Sequence, residues 1–299
     1  MKKEGRKSKF SAMYIVICCV LSVYVLSLCI PLFWGVLTSV KSQTEFRLNM
    51  LGLPKGAPWA WKWSNYGKVF TDFYEVITIK GVGRIKIGLS KMIENTLLYA
   101  IGCAFLQTLC PCIVAYLAAK FDYKFSKFVD TLVVALMVVP IIGSQPSEMQ
   151  MLKGLGFYDT MWGMWICKFS FLGMYYLIFH SAFKGISNDF FEAAYVDGAS
   201  ELRVLVSIAL PMVRNVFGTV FLIKFVAFWN DYQTPALYMP SLPVLARGIF
   251  RLTHSLQGEF ATIPFRMAGC MFLALPILTL FIIFKEKMMG NLSMGGLKE

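Results

Sequence analysis

The feature that most limits what this chain can become is a set of long segments without a charged side chain. Residues 10–40, between Lys9 and Lys41, form 31 consecutive uncharged positions. About 20 apolar residues are enough for a helix to cross the hydrocarbon of a bilayer, so this segment can span with room for tilt. It is too long for the apolar core of a secretory signal, and no small-residue cleavage site follows it. Further such segments run from Asn95 to Ala119, from Thr131 to Ser147, and between Arg266 and Lys285. Two more are interrupted: roughly Met161 to Phe183 by Lys168, and roughly Val213 to Asn230 by Lys224.

A lysine at mid-helix costs about 2.5–3.5 kcal/mol to insert, while each Leu, Ile, Phe or Val returns about 0.3–0.6. The fourth segment has enough apolar side chains to offset Lys168. The fifth is shorter and needs neighbouring helices. The reading is an all-α membrane protein with six transmembrane helices. Composition agrees: 57% of residues are hydrophobic and 15% charged, against about 45–50% and 25% in soluble domains. A soluble enzyme is nearly excluded.

The net charge of +12 comes from 29 Lys and Arg against 17 Asp and Glu. A nucleic-acid binder would gather that excess on a polar domain, whereas here apolar stretches separate the basic residues. With the amino terminus inside, fourteen Lys and Arg fall on the inner segments, three on the two shorter outer loops, nine on the long loop after the first span, and three within or beside spans. That bias sets the orientation, both ends cytoplasmic. The expected layout is a basic tail at 1–12, a first helix at 13–37, an outer loop at 38–91 and a core at 92–285. Core helices are expected near 93–119, 129–147, 161–183, 213–230 and 266–284, followed by a tail at 286–299. Trp59, Trp61 and Trp63 mark the outer loop as an interfacial or packed segment rather than a free linker.

Catalytic and metal chemistry find little support. The eight cysteines all lie in apolar stretches, and Cys110 and Cys112 flank Pro111, which is neither a redox nor a zinc spacing; they read as small packing residues. His180 and His254 are too few and too far apart for a metal site. No cofactor is implied. Gly81 and Gly83 are followed by Lys86 where a dinucleotide fingerprint needs a third glycine, and Gly67-Lys68 has Lys62 where a phosphate loop needs one. The chain has no nucleotide site of its own.

The loop between the fourth and fifth segments carries the chemistry. Asp189 to Val196 contains no helix breaker, Gly198 permits a turn, and Asp197 or Ser200 can cap the next helix. That helix would place Leu202, Leu205, Val206, Ala209 and Leu210 on one buried face, with Arg203 and Ser207 off it. Pro211 is expected to end it. Glu192, Ala193, Ala194, Gly198, Ile208, Leu210 and Pro211, at their spacing, resemble the Glu-Ala-Ala loop of the permease subunits of ABC importers. The resemblance implies a type I ABC importer permease fold with a cytoplasmic coupling helix in a loop at 186–211. It also implies that this helix docks on a separate ATPase. Small Ala193 and Ala194 would allow close approach, and Glu192 would offer a carboxylate to a basic partner. Asp197 is either a cap or a partner contact.

Further matches are similar to the carbohydrate-type permeases, specifically the second permease subunit and its complex-sugar or oligosaccharide subgroup. They are Thr38-Ser39-Val40-Lys41, Leu53-Pro54, Asn65-Tyr66, Asn95-Thr96, Ala115-Tyr116-Leu117-Ala118 with Lys120-Phe121, Pro140, Pro146, Leu155-Gly156 with Thr160, Trp229-Asn230-Asp231, and Met294-Gly295-Gly296-Leu297-Lys298. Ser187 stands where the family usually has proline, and Ser147 to Gln150 are more polar than usual. The implied partners are two ABC ATPase subunits, a second homologous permease subunit, an extracellular solute-binding protein, a sugar or oligosaccharide, and membrane lipid in a bacterial cell membrane, with no nucleic acid. Trp229, Asn230 and Asp231 combine an aromatic face with hydrogen-bonding groups and are either sugar contacts or a helix-end anchor with its cap. Lys168 and Lys224 are either pathway cations or a structural pair or snorkelling groups. A permease for a non-sugar solute, a stand-alone secondary carrier and a membrane-embedded enzyme are the competing readings.

Overall fold

The computed structural model describes residues 12–79, 81, 83–121, 124–138, 143–254 and 261–292. The basic tail up to residue 11, Pro140 and the closing 294–298 motif lie outside them. In chain order the elements are α1 (Ala12–Ser39), α2 (Gln43–Leu48), α3 (Ser64–Asp72), strands β1 (Tyr74–Ile79) and β2 (Gly83–Gly88), α4 (Leu89–Lys120), α5 (Lys124–Val138), α6 (Gln145–Gly154), α7 (Met161–Cys167) and α8 (Met174–Lys184). They continue with α9 (Asp189–Val196), α10 (Glu201–Val204), a π turn at Leu205–Ala209, α11 (Leu210–Met212), α12 (Arg214–Trp229), α13 (Gln233–Tyr238), α14 (Leu245–His254) and α15 (Ile263–Leu292). The chain divides into two units, residues 1–69 with 255–272, and residues 70–254 with 273–299.

Among the described residues, three helices are long and apolar enough to cross a bilayer unaided: Met13–Ser39, Leu89–Lys120 and Ile263–Phe284. A fourth candidate is the pair Glu201–Met212 and Arg214–Trp229, bent by 75°. Within the first unit, α1 exposes Met13, Val16, Val20, Val23, Leu26 and Phe33, an apolar surface suited to lipid because its backbone bonds close within the helix.

The exit from α1 explains three of the quoted motifs. Lys41 is buried, and its ammonium donates to the carbonyls of Asn49 at 2.9 Å and Gly52 at 2.6 Å, beyond the end of α2. Asn65 donates from Nδ2 to the carbonyls of Ser39 at 2.7 Å and Lys41 at 2.9 Å. The hydroxyls of Ser39 and Tyr66 share a 2.7 Å bond. A charge buried beside carbonyl oxygens is tolerated only because it is hydrogen-bonded. Trp61, Trp63 and Tyr66 form a ring stack, with Trp59 exposed beyond it.

Two expected spans take a different form. The segment at 161–183 is not one helix: α7 ends with Lys168 at its C-cap, and α8 starts after Gly173, whose φ of 134° favours a residue without Cβ. The segment at 129–147 likewise divides, since α5 runs to Val138 while Gly143 (φ 78°) and Pro146 in the first turn of α6 start a new helix. The outer loop also holds an antiparallel hairpin that pairs Tyr74 with Gly88 and Ile79 with Gly83. Its β-branched alternation buries Glu75 and Ile77 while Tyr74 and Val76 stay exposed.

In the second unit α4 is the spine, packed against α8 and α12 through Cys112, Ala115, Tyr116, Phe179, Phe183 and Val220. Gly102 lets α7 approach: a Cβ there would lie 2.2 Å from the Trp165 indole, which donates to the Leu98 carbonyl at 3.1 Å. Asn95 donates to the carbonyl of Pro243 at 3.0 Å, and the Thr96 hydroxyl accepts from the Leu245 N–H at 2.7 Å. The Asn95-Thr96 pair therefore pins the entry to α14. Cys103, Cys110 and Cys112 are buried packing residues, whereas Cys18 and Cys19 are exposed on α1.

Candidate functional site

The loop after α8 is built on α9. Ser187 opens it in place of the family proline: its hydroxyl donates to the Asp189 carboxylate at 2.9 Å and accepts from the Asp189 N–H at 3.3 Å. α9 then closes in a Schellman turn. The N–H of Ala199 reaches the Ala194 carbonyl at 2.9 Å, and that of Gly198 reaches Tyr195 at 3.0 Å, with Gly198 at φ 79°. The spacing from the Ala pair to Gly198 is thus the length of a helix turn plus its left-handed stop.

Two faces of α9 have separate uses. Phe191 is buried and packs near Tyr116 of α4, with Ala194 against the same core. Glu192, Ala193 and Asp197 are exposed, beside Phe190 at 56% and Val196 at 87% exposure. Glu192 makes no ion pair among the described residues. Asp197 is the C-cap of α9, and Ser200 stands at the N-cap of α10 without a side-chain capping bond. The link from α9 to α10 is instead the Tyr195 hydroxyl donating to Glu201 at 2.9 Å; burial first, and this bond, push the phenol pKa up.

The helix after Gly198 corrects the sequence reading in two respects. Its inward residues are Val204, Leu205, Ile208 and Ala209, while Leu202 and Val206 are exposed. Pro211 does not end the helix but lies inside it. Because Pro211 has no N–H and its ring crowds the preceding turn, the backbone widens to a π turn at Leu205–Ala209, and the chain bends only at Val213.

Sequence reasoning gave Lys120 no role. Its Nζ, at the end of α4, donates to the Ile186 carbonyl at 2.7 Å and to Asn188 Oδ1 at 2.9 Å, and lies 4.6 Å from the centre of the Phe191 ring. One ammonium therefore ties the start of α9 to the spine of the second unit. A cation closing a span, one turn after a buried tyrosine, is the signal that was available.

The five candidate pathway residues separate into three places. Lys224 lies beside a cavity of about 170 Å³ with Gln107, Ser170, Gly173 and Tyr175, its Nζ 4.4 Å from the Tyr175 ring centre. The cavity sits at the break between α7 and α8. Lys168 is placed apart, in electrostatic reach of Glu148, whose carboxylate accepts from Cys167 at 2.9 Å and Tyr238 at 2.9 Å. Trp229 is buried and donates to the Leu273 carbonyl at 3.0 Å. Asp231 accepts from the Tyr99 hydroxyl at 2.9 Å and the Thr234 N–H at 3.0 Å, while exposed Asn230 donates to the Val226 carbonyl at 2.9 Å. The hydrogen bonds of Trp229, Asn230 and Asp231 thus go to neighbouring protein groups at this end of α12.

Among solved structures, a bacterial ABC transporter involved in the import of the acidic polysaccharide alginate has a chain of the same fold, with a TM-score of 0.73 at 18% identity over 96% of this chain and 99% of that one. The sequence is 23% identical to a diacetylchitobiose uptake system permease protein of Streptomyces coelicolor, over 89% of this chain and 83% of that one. It is 24% identical to a sulfoquinovosyl glycerol transport system permease protein of Agrobacterium fabrum, over 90% and 88%. Residues 112–286, which include α8, the loop and α12, match the model of one family. The chain belongs to that family, the inner membrane components of binding-protein-dependent transport systems.

Proposed function

We propose that this chain is one permease subunit of an ABC importer, forms half of the translocation pathway for a sugar or oligosaccharide, and is driven through α9 by separate ATPase subunits. The observation that carries the coupling assignment is the outward face of α9. It combines exposed Phe190, Ala193 and Val196 with the unpaired Glu192 carboxylate, on a helix fixed from behind by Lys120 and Phe191. An apolar stripe with one uncommitted charge is suited to a cleft that supplies a basic group. Two ATPases, a second permease subunit and an external solute-binding protein complete the assembly.

Six crossings are proposed in α1, α4, α5, the broken pair α7–α8, α12 and α15, with both termini cytoplasmic in a bacterial membrane. The basic residues that follow α4 and α8 support that orientation. The carbohydrate assignment is supported by the similarity to permeases named for diacetylchitobiose and sulfoquinovosyl glycerol transport. Lys224 and the cavity at the α7–α8 break are the pathway candidates that retain free space beside them.

The test is uptake by the reconstituted complex. Glu192→Lys is expected to abolish ATP-dependent uptake while the subunit still inserts in the membrane. Unchanged uptake would remove the coupling role from α9. Uptake by the purified chain in vesicles lacking any ATPase would replace the importer with a stand-alone carrier.

A further inference from the structure

A cleft of about 440 Å³ lies between α13, α14 and the start of α6 in the second unit, lined by Gln145, Tyr232, Gln233, Arg247, Phe250 and Arg251 among others. Its volume is within the range of about 300–1,000 Å³ usual for small-molecule sites. Helix α14 is sharply two-faced: Leu245, Gly248, Ile249 and Leu252 are buried, while Arg247, Phe250 and Arg251 line the cleft. The rings of Tyr232 and Phe250 stack at 4.4 Å and 11°, which fixes a flat apolar wall.

Charge in the cleft is unbalanced. Glu75 of β1 is buried, and its Oε1 accepts from Arg247 at 2.8 Å and from Arg251 at 2.7 Å. One carboxylate therefore faces two guanidinium groups. Arg247 also donates to the Pro240 carbonyl at 3.0 Å, and its side chain is only 12% exposed. The Arg251 side chain is 58% exposed, and its remaining N–H donors have no partner among the described residues. The side-chain amides of Gln145 and Gln233 likewise have no hydrogen-bond partner among them. Rigid aromatic surface, two free primary amides and a fork of uncommitted cationic donors suit one chemistry: a hydroxyl-rich ring bearing an anion.

We propose that this cleft is a binding subsite for one acidic sugar unit. The ring edge lies along the Tyr232–Phe250 wall, hydroxyls bond to Gln145 and Gln233, and the carboxylate meets Arg251. The inference rests on the carbohydrate reading above and on the orientation proposed with it, which puts α13 and α14, between α12 and α15, on the outer side. There the subsite would hold the end of an oligosaccharide entering the pathway. An importer whose second subunit selects a charged unit would discriminate before its substrate reaches the membrane interior.

The test uses the assembled transporter in nanodiscs without its binding protein. Binding of a panel of uronic-acid oligosaccharides is compared with that of their methyl esters, which differ only in charge. The acids are expected to bind roughly ten- to hundredfold tighter than the esters, with the preference falling as salt rises. Arg251→Gln should abolish the preference, because Arg247 still pairs Glu75 and the fold is kept, and Gln233→Ala should weaken acid and ester alike. No acid preference in any pair, or a preference that survives Arg251→Gln, overturns the subsite. Neither result touches the carbohydrate reading, which fails only if the complete transporter takes up no saccharide.

Discussion

Replacing Lys120 by Met is the sharpest test of the coupling proposed for α9. The substitution keeps an unbranched apolar stem and removes the ammonium that reaches Ile186, Asn188 and the Phe191 ring. A hydrogen bond from a charged donor contributes about 1.5–3 kcal/mol when buried. Lys120 is only half-buried, so solvent screening brings both bonds together to about 1–2 kcal/mol, and the contact with Phe191 adds about 0.5–1. The hold of α9 on α4 should therefore weaken by about 1.5–3 kcal/mol, roughly ten- to 150-fold in the population of the attached state. Phe191 remains buried beside Tyr116, so the loop stays folded. In vesicles holding the full complex, uptake and ATP hydrolysis are measured together. Lys120→Met should lower solute moved per ATP about tenfold or more while hydrolysis continues. Lys120→Arg should restore most of the ratio, since it keeps both the donors and the cation–π contact. An unchanged ratio in a correctly assembled Lys120→Met complex would refute the link. So would a pairwise energy near zero in a double-mutant cycle with Asn188→Ala.

Three further outcomes follow from particular contacts. Gly198→Ala places a Cβ in open space but at φ 79°, so it should cost about 1–2 kcal/mol of local stability through backbone strain alone; Gly198→Asn should cost less, which thermal unfolding of the purified subunit would check. Glu75→Ala leaves Arg247 buried without its partner and should destabilise the subunit by about 3–5 kcal/mol, read as a fall in melting temperature in detergent. Gly102→Ala forces the Trp165 indole out of contact, breaking its bond to Leu98, and should shift tryptophan emission to the red.

Much of the coupling loop was legible because its signals are local. The helix bounded by Asp189 and Val196 and the left-handed stop at Gly198 depend on residues within one or two turns of each other. The neighbouring helix was read correctly at Leu205, Ala209 and Leu210 but with Leu202 and Val206 wrongly inward, and a proline inside a helix can be absorbed by a π turn, a choice that depends on what packs against it. Charge-free length located α1, α4 and α15 for a similar reason: every backbone group in lipid must be paired within its own segment. That rule failed at 161–183, where the chain breaks at Lys168 and restarts after Gly173. A break there is allowed only when neighbours cover it, and a linear pattern does not name neighbours.

What the sequence by itself determined was the kind of solvent the chain needs; the side of the membrane proposed for each loop and the helix proposed to face a partner were also read from it. These follow from charge placement and from short-range turn chemistry. Only the tertiary structure decided which polar groups are structural and which are available. Trp229, Asn230 and Asp231, the most sugar-like triplet in the chain, have hydrogen bonds to Leu273, Val226, Tyr99 and Thr234. Lys120, quoted in the sequence only as part of a motif, lies against α9. Arg251 and Gln233 stand with donors uncommitted, because residues far apart in the chain came together around Glu75. Whether a polar side chain is spent or free is a property of its partners, and partners are assigned by the fold.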